Sequence, residues 1–251
     1  MFRNLQPVTK NLVILNIVVY IVCLIFSSRG IDLTNYLGAH YITSPLFEPY
    51  QIVTHFFMHS LSNPLHIFMN MFILANLGTI LERVWGPKRF FFAYIISAVG
   101  AFLIYNAAGS YELYQLKQTL VQMGVDVQQL DYMLRENPQA ITRTMEMAPY
   151  IDPYVIKSYT PMVGASGAIF GIMAAFAYLF PNTEMFLMFI PFPIKAKYLI
   201  GGYFLIELYL SIQSIQGIYA DSVAHLAHVG GAVFGFVLTL IWNRKDRNNF
   251  Y

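Results

Sequence analysis

Charge is what this sequence has least of. Only 11% of its residues are Asp, Glu, Lys or Arg, against roughly a quarter in a soluble domain, while 57% are hydrophobic. Too few charged groups remain to cover a water-soluble surface, so the chain reads as a membrane protein. Cysteine is nearly absent as well. The single Cys23 excludes an intrachain disulfide and any Cys-based metal centre. Neither sign of charge dominates: the net value is +2, and no nucleic-acid partner is implied. The first hydrophobic run has no small-residue cleavage site behind it, so it is read as a retained span and not as a removed signal peptide.

What the sequence has in abundance is long apolar stretches. Six approach the roughly 20 residues a membrane helix needs, at 11–28, 62–81, 89–108, 164–180, 196–213 and 223–242. The expected fold is all-α, a polytopic six-transmembrane-helix bundle. Placing the N-terminus in the cytoplasm gathers Arg3, Lys10, Arg83, Lys88, Arg89, Lys195, Lys197, Arg244, Lys245 and Arg247 on the inside. Arg29, Lys117, Arg135, Arg143 and Lys157 then fall outside, most of them in one long loop, which carries little weight. The reading divides the chain into a cytoplasmic tail at 1–10, a membrane domain at 11–243 and a basic cytoplasmic tail at 244–251. An external insertion at about 110–160 separates spans three and four, and its leucine periodicity predicts two short amphipathic helices, an outer cap or an interface-lying hairpin with no chemistry of its own. The loop from Ser27 to about Val53 carries Tyr36, Tyr41, Phe47 and Tyr50 and is expected to lie in the membrane interface.

Polar residues inside such spans are costly and need a reason. Ser166 stands between Gly164-Ala165 and Gly167, at the head of the apolar run that continues through Phe170 and Gly171. A serine there sits near a helix N-terminus, where free N–H groups favour developing negative charge. Close packing of small residues is the ordinary alternative for this cluster. His66 and Asn70, four apart, share a face of the second span, either for function or for helix-to-helix hydrogen bonds. His55 and His59 have the spacing of a zinc-binding His-Glu-x-x-His helix, but Phe56 holds the glutamate position, so the pair is expected to fix the loop. Glu207 is an isolated acid in the fifth span, with no partner evident. In the sixth, His225 and His228 precede Gly231 and Gly235. This Gly-x-x-x-Gly pair matches Gly167 and Gly171, so the two helices can cross closely and in parallel. In that register His228 meets Ser166, while His225, about 4.5 Å higher, is expected to reach the loop region and water.

Taken together, Gly164-Ala165-Ser166-Gly167, Ala227-His228 with Gly231 and Gly235, and His66 with Asn70 resemble, in order and on the right spans, the motifs of the rhomboid family of intramembrane serine proteases. The resemblance implies Ser166 as nucleophile and His228 as base in a dyad, since no acid is placed to orient the imidazole. It also implies an oxyanion site formed by His66, Asn70 and the Ser166 N–H. Its substrates would be transmembrane proteins, cut within or beside the bilayer, with no cofactor and no metal. Its bacterial-type core would place the chain in the bacterial inner membrane with both termini cytoplasmic. The chain departs from the pattern at Phe170, where some members carry a tyrosine that stacks on the base, and at Tyr50-Gln51, where many carry Trp-Arg. The other readings are a catalytically inactive rhomboid-like protein that binds membrane clients, and a metal enzyme using His55, His59, His225 and His228.

Overall fold

The computed structural model describes residues 5–142, 144–186, 192–215 and 225–248. Arg3, Arg143, Ile190, Pro191, Ala224 and the stretch 249–251 lie outside the described residues.

Helix α1 runs over Pro7–Ser27, with Pro7 in the first turn, where no N–H is needed. It therefore begins inside the stretch expected as a tail. Glu82 is the reason: its carboxylate receives the Val8 N–H at 2.9 Å and both the N–H and hydroxyl of Thr9 at 2.8 Å. Donors that the helix leaves open are satisfied, and a negative charge meets the positive end of the helix dipole, a cap worth about 1–2 kcal/mol. Glu82 itself is buried.

Helix α2, Pro64–Ile73, passes through a π-helical turn at Leu74–Gly78 into α3, Thr79–Gln122. A turn separates the second and third spans: Gly86 has φ +77°, which only glycine adopts easily, and Pro87 restarts the helix. From Pro87 onward α3 is unbroken, about 54 Å at 1.5 Å per residue, well beyond the roughly 30 Å of a bilayer core. The third span thus continues out of the membrane, and the Leu113 and Leu120 periodicity belongs to it and not to a separate helix. Nothing breaks the helix at Gly109, whose missing side chain makes room for the Tyr41 ring; a Cβ there would stand 1.9 Å from Tyr41 Cε1.

The insertion continues with α4, Val127–Glu136, capped by the Asp126 side chain on the Gln129 N–H at 3.0 Å, and α5, Ala148–Tyr159. These helices build a small core of their own with the end of α3, from Leu113, Leu120, Leu130, Leu134, Ile151 and Tyr154, closed by Tyr41 of the first loop. The insertion is therefore joined to that loop, which a free outer cap would not be.

Helix α6, Ser166–Leu179, is followed by the two-residue strands β1, Glu184–Met185, and β2, Ile194–Lys195, paired antiparallel. Then come α7, Ala196–Ile215, and α8, His225–Asn248, which runs on into the expected C-terminal tail. Helices α6 and α8 cross in the register their glycines suggested. A Cβ on Gly231 would lie 1.9 Å from the Gly167 carbonyl oxygen, and one on Gly235 would lie 2.4 Å from Gly171 Cα. Ser97 of α3 fills the other side of Gly171. At the far end of this pair, Trp85 and Trp242 meet edge to face at 5.4 Å, with the Arg89 guanidinium over the Trp242 ring.

Candidate active site

Helix α6 has 14 residues, about 21 Å of rise, too short for the roughly 30 Å of hydrocarbon. It therefore cannot cross that layer end to end. The chain reaches its first residue, Ser166, through non-helical backbone at 160–165, which within hydrocarbon is stable only inside protein or beside a water-lined cavity. That segment is held to the first loop: Ala39 and Met162 exchange N–H···O bonds at 2.9 and 2.8 Å, and the Gly164 N–H donates to the His55 carbonyl at 3.0 Å. Gly164 adopts φ +125°, so the last turn before the serine needs a glycine.

Ser166 Oγ lies 2.8 Å from His228 Nε2. The imidazole is held flat against Phe170, with ring centroids 4.4 Å apart and planes 10° from parallel, and Tyr203 packs on Phe170 at 4.9 Å. The His66 ring edge stands beside this pair, Cε1 and Nε2 each 3.0 Å from where a Gly164 Cβ would be. One turn on, Asn70 is buried, and its Nδ2 donor has no hydrogen-bond partner among the described residues. Buried amide donors are seldom left unpaired, so this one is available to a group that enters from outside the protein. The structure thus brings Ser166, His228, His66 and Asn70 to one end of the bundle, with Gly164, Gly167, Gly171, Phe170, Gly231 and Gly235 as the packing around them.

Two expectations need correction. An acid does stand behind the base: Glu207 Oε2 is 2.9 Å from His228 Nδ1. His225 does not reach open water either; it is buried, with its Nδ1 2.7 Å from the same Oε2 atom. The reason lies in α7, whose buried side is the narrow stripe Ala196, Ile200, Glu207 and Ser211, while Leu205, Ile206 and Tyr209 are exposed. Glu207 falls on the stripe and so faces α8. Glu207 and Ser211, four apart, are visible in the sequence as polar residues of the fifth span, but no motif linked that span to the histidines of the sixth.

Glu207, His225 and His228 offer potential ligand atoms within 4.8 Å of one another, the donor types of a His-His-Glu metal site. His55 and His59 belong to no such cluster among the described residues. They anchor the loop: His55 Nδ1 is 2.8 Å from the Gln51 carbonyl, and the His59 ring packs at 5.3 Å from that of His66. Gln51, at the position of the missing arginine, takes over much of the anchoring. Its Oε1 accepts the N–H of His40 and Glu48, and its Nε2 donates to the carbonyls of Tyr36 and Leu46, all between 3.1 and 3.2 Å. His40, which sequence reasoning missed, joins the loop to the insertion: its ring nitrogens lie 2.9 Å from the Ser158 carbonyl and 3.0 Å from that of Asn35.

Comparison with known proteins agrees with this layout. The Rhomboid domain matches residues 46–121 and 144–245. An uncharacterized mitochondrial rhomboid protein of Schizosaccharomyces pombe is 38% identical over 92 residues, covering 35% of this chain and 23% of that protein. The mitochondrial rhomboid protein 1 of Saccharomyces cerevisiae is 26% identical over 172 residues, 68% of this chain and 36% of that protein. The matches thus span about a quarter to a third of the length of these curated relatives. Neither relative supports a bacterial membrane in particular. A match over most of the chain, on an apolar helical bundle that carries the motif residues in order, makes this polytopic membrane protein a member of the rhomboid family.

Proposed function

We propose that the chain is an intramembrane serine endopeptidase that cleaves transmembrane proteins within or beside the bilayer. The observation that carries the reading is the 2.8 Å contact between Ser166 Oγ and His228 Nε2 at the start of a short helix. Ser166 Oγ attacks the scissile carbonyl while His228 Nε2 takes its proton; the imidazolium then returns that proton to the leaving amine. The first N–H of α6, on Ser166, has no intrahelical partner and points at the developing oxyanion, with the His66 ring and the Asn70 amide as further donors. Water entering the site hydrolyses the acyl-enzyme, with His228 again as base. The substrate helix has to unwind at the cleavage site, because a hydrogen-bonded helix hides its carbonyls. Lipid and the substrate span are the partners, and the basic residues near the span ends favour cytoplasmic termini.

A client-binding protein without activity is the rival. It has no need of a serine and an imidazole in hydrogen-bond contact, and a Ser166→Ala variant separates the two. The protein in liposomes is expected to cleave a model transmembrane substrate, and Ser166→Ala to leave it intact; equal cleavage by both would overturn the reading. Stoichiometric zinc in the active purified protein would instead favour metal chemistry at Glu207, His225 and His228.

A further inference from the structure

A buried carboxylate on a helix that otherwise faces lipid is expensive to keep. Glu207 is 3% exposed, and its neighbours along α7 are exposed apolar side chains. Two imidazoles of α8 meet one of its oxygens, His225 Nδ1 at 2.7 Å and His228 Nδ1 at 2.9 Å. Each contact is satisfied when the imidazole carries its proton on Nδ1, since a carboxylate only accepts. For His228 this has a chemical result. With the proton on Nδ1, the lone pair is on Nε2, the atom 2.8 Å from Ser166 Oγ. The other tautomer would set an N–H against the serine and leave a lone pair facing the carboxylate.

We propose that Glu207 is a positioning residue for the hydrolytic site, holding His228 in the tautomer and orientation that accept the Ser166 proton, and that His225 holds the Glu207 carboxylate in place. The inference rests on the serine-hydrolase reading. Phe170 fixes the plane of the His228 ring by stacking, and Glu207 fixes its rotation within that plane; neither contact alone defines both. A carboxylate also stabilises the imidazolium that forms during proton transfer, as in a Ser-His-Asp triad. The role of His225 follows from its location. Its ring lines a small polar cavity with Ser211, Ser214, Glu112 and Lys157, which Glu207 does not line, so His225 stands between the carboxylate and that cavity. It supplies a second donor where water would otherwise compete for the same oxygen.

The test uses the whole protein in detergent, with variants matched for thermal stability. Glu207→Leu removes the acceptor without leaving a charge, and Glu207→Asp retains it on a shorter arm. Cleavage of a model transmembrane substrate is followed for kcat and KM. Nitrogen-15 spectra of the imidazoles report which ring nitrogen carries the proton. Glu207→Leu is expected to lower kcat about 100- to 10,000-fold with KM within about threefold, by analogy with removal of the triad carboxylate elsewhere. Glu207→Asp should recover at least about a tenth of the lost rate, and His225→Gln should cost kcat about 3- to 30-fold, by the same logic of graded support. In the wild-type spectrum His228 should be protonated on Nδ1, and in Glu207→Leu that preference should be lost. A kcat in Glu207→Leu within threefold of wild type, or an unchanged His228 tautomer, would overturn the proposal. Should Glu207→Leu fail to fold, Glu207→Gln takes its place for the kcat measurement, with the same threefold criterion. If the wild type neither cleaves nor forms an acyl-enzyme, the hydrolase reading fails instead, and the spectra still decide whether Glu207 sets the tautomer.

Discussion

At the scale of residues, the proposed chemistry depends on hydrogen-bond donors held ready near the serine. Asn70 Nδ2 is buried with no partner among the described residues, and His66 stands against Gly164. If each gives one hydrogen bond to the oxyanion, Asn70→Ala and His66→Ala should each slow cleavage about 10- to 1,000-fold with little change in folding. Wild-type rates in both variants would remove them from the site. The loop histidines make a different prediction. Burial pushes the His55 and His59 imidazoles down from an ordinary 6.5 to about 4, with the neighbouring His66 adding to the effect on His59. A folded-state value below the unfolded one means that the folded loop prefers the neutral ring. The stabilisation is complete above about pH 6.5, falls as the pH drops toward 4 and changes no further below it, for a total of about 3 kcal/mol per histidine. Thermal unfolding in detergent should therefore weaken between pH 6.5 and 4, more steeply than in a His55→Gln, His59→Gln variant. Equal slopes would contradict the assignment.

At the scale of elements, the contact between α6 and α8 sets the active geometry. The glycine pairs, legible in the sequence as two Gly-x-x-x-Gly motifs of parallel spans, fix the register, and the register brings His228 and not His225 to the serine. Gly231→Ala places a methyl group 1.9 Å from the Gly167 carbonyl oxygen, which is backbone and cannot rotate away. The helices have to separate. The variant should lose nearly all activity and at least about 2 kcal/mol of stability, the scale of a core overpacking error; a variant that keeps both would show that the contact is looser than described. Element ends were less legible. Helix α1 starts early because Glu82, distant in sequence, caps it, and α3 runs long because nothing at Gly109 and Ser110 stops it. Glu207 was visible as a buried acid without a partner, since its partner lies on another helix and only packing shows which face of α7 is turned inward.

At the scale of the whole molecule, the six apolar runs and the order of the motifs made the bundle and the candidate catalytic pair legible, because helical period and small-residue spacing are local signals. The attachment of the insertion was not, because it depends on contacts between distant segments: Tyr41 with the α3–α5 core, and His40 and Ser44 with the Ser158 carbonyl. The bonds of Met162 and Gly164 to Ala39 and His55 lie outside 112–157, so replacing that stretch by a short flexible linker should leave measurable cleavage in a protein made less stable by the loss of the Tyr41 core. Complete loss in a folded deletion variant would show that the insertion builds or gates the site. The central claim is that Ser166 is a nucleophile activated by His228. Labelling of the detergent-solubilised protein by a fluorophosphonate tests it most directly, because the probe needs the serine and its base but no substrate. Wild type should label, Ser166→Ala and His228→Ala should not, and His225→Ala should keep a substantial part; equal labelling of wild type and Ser166→Ala would contradict the account.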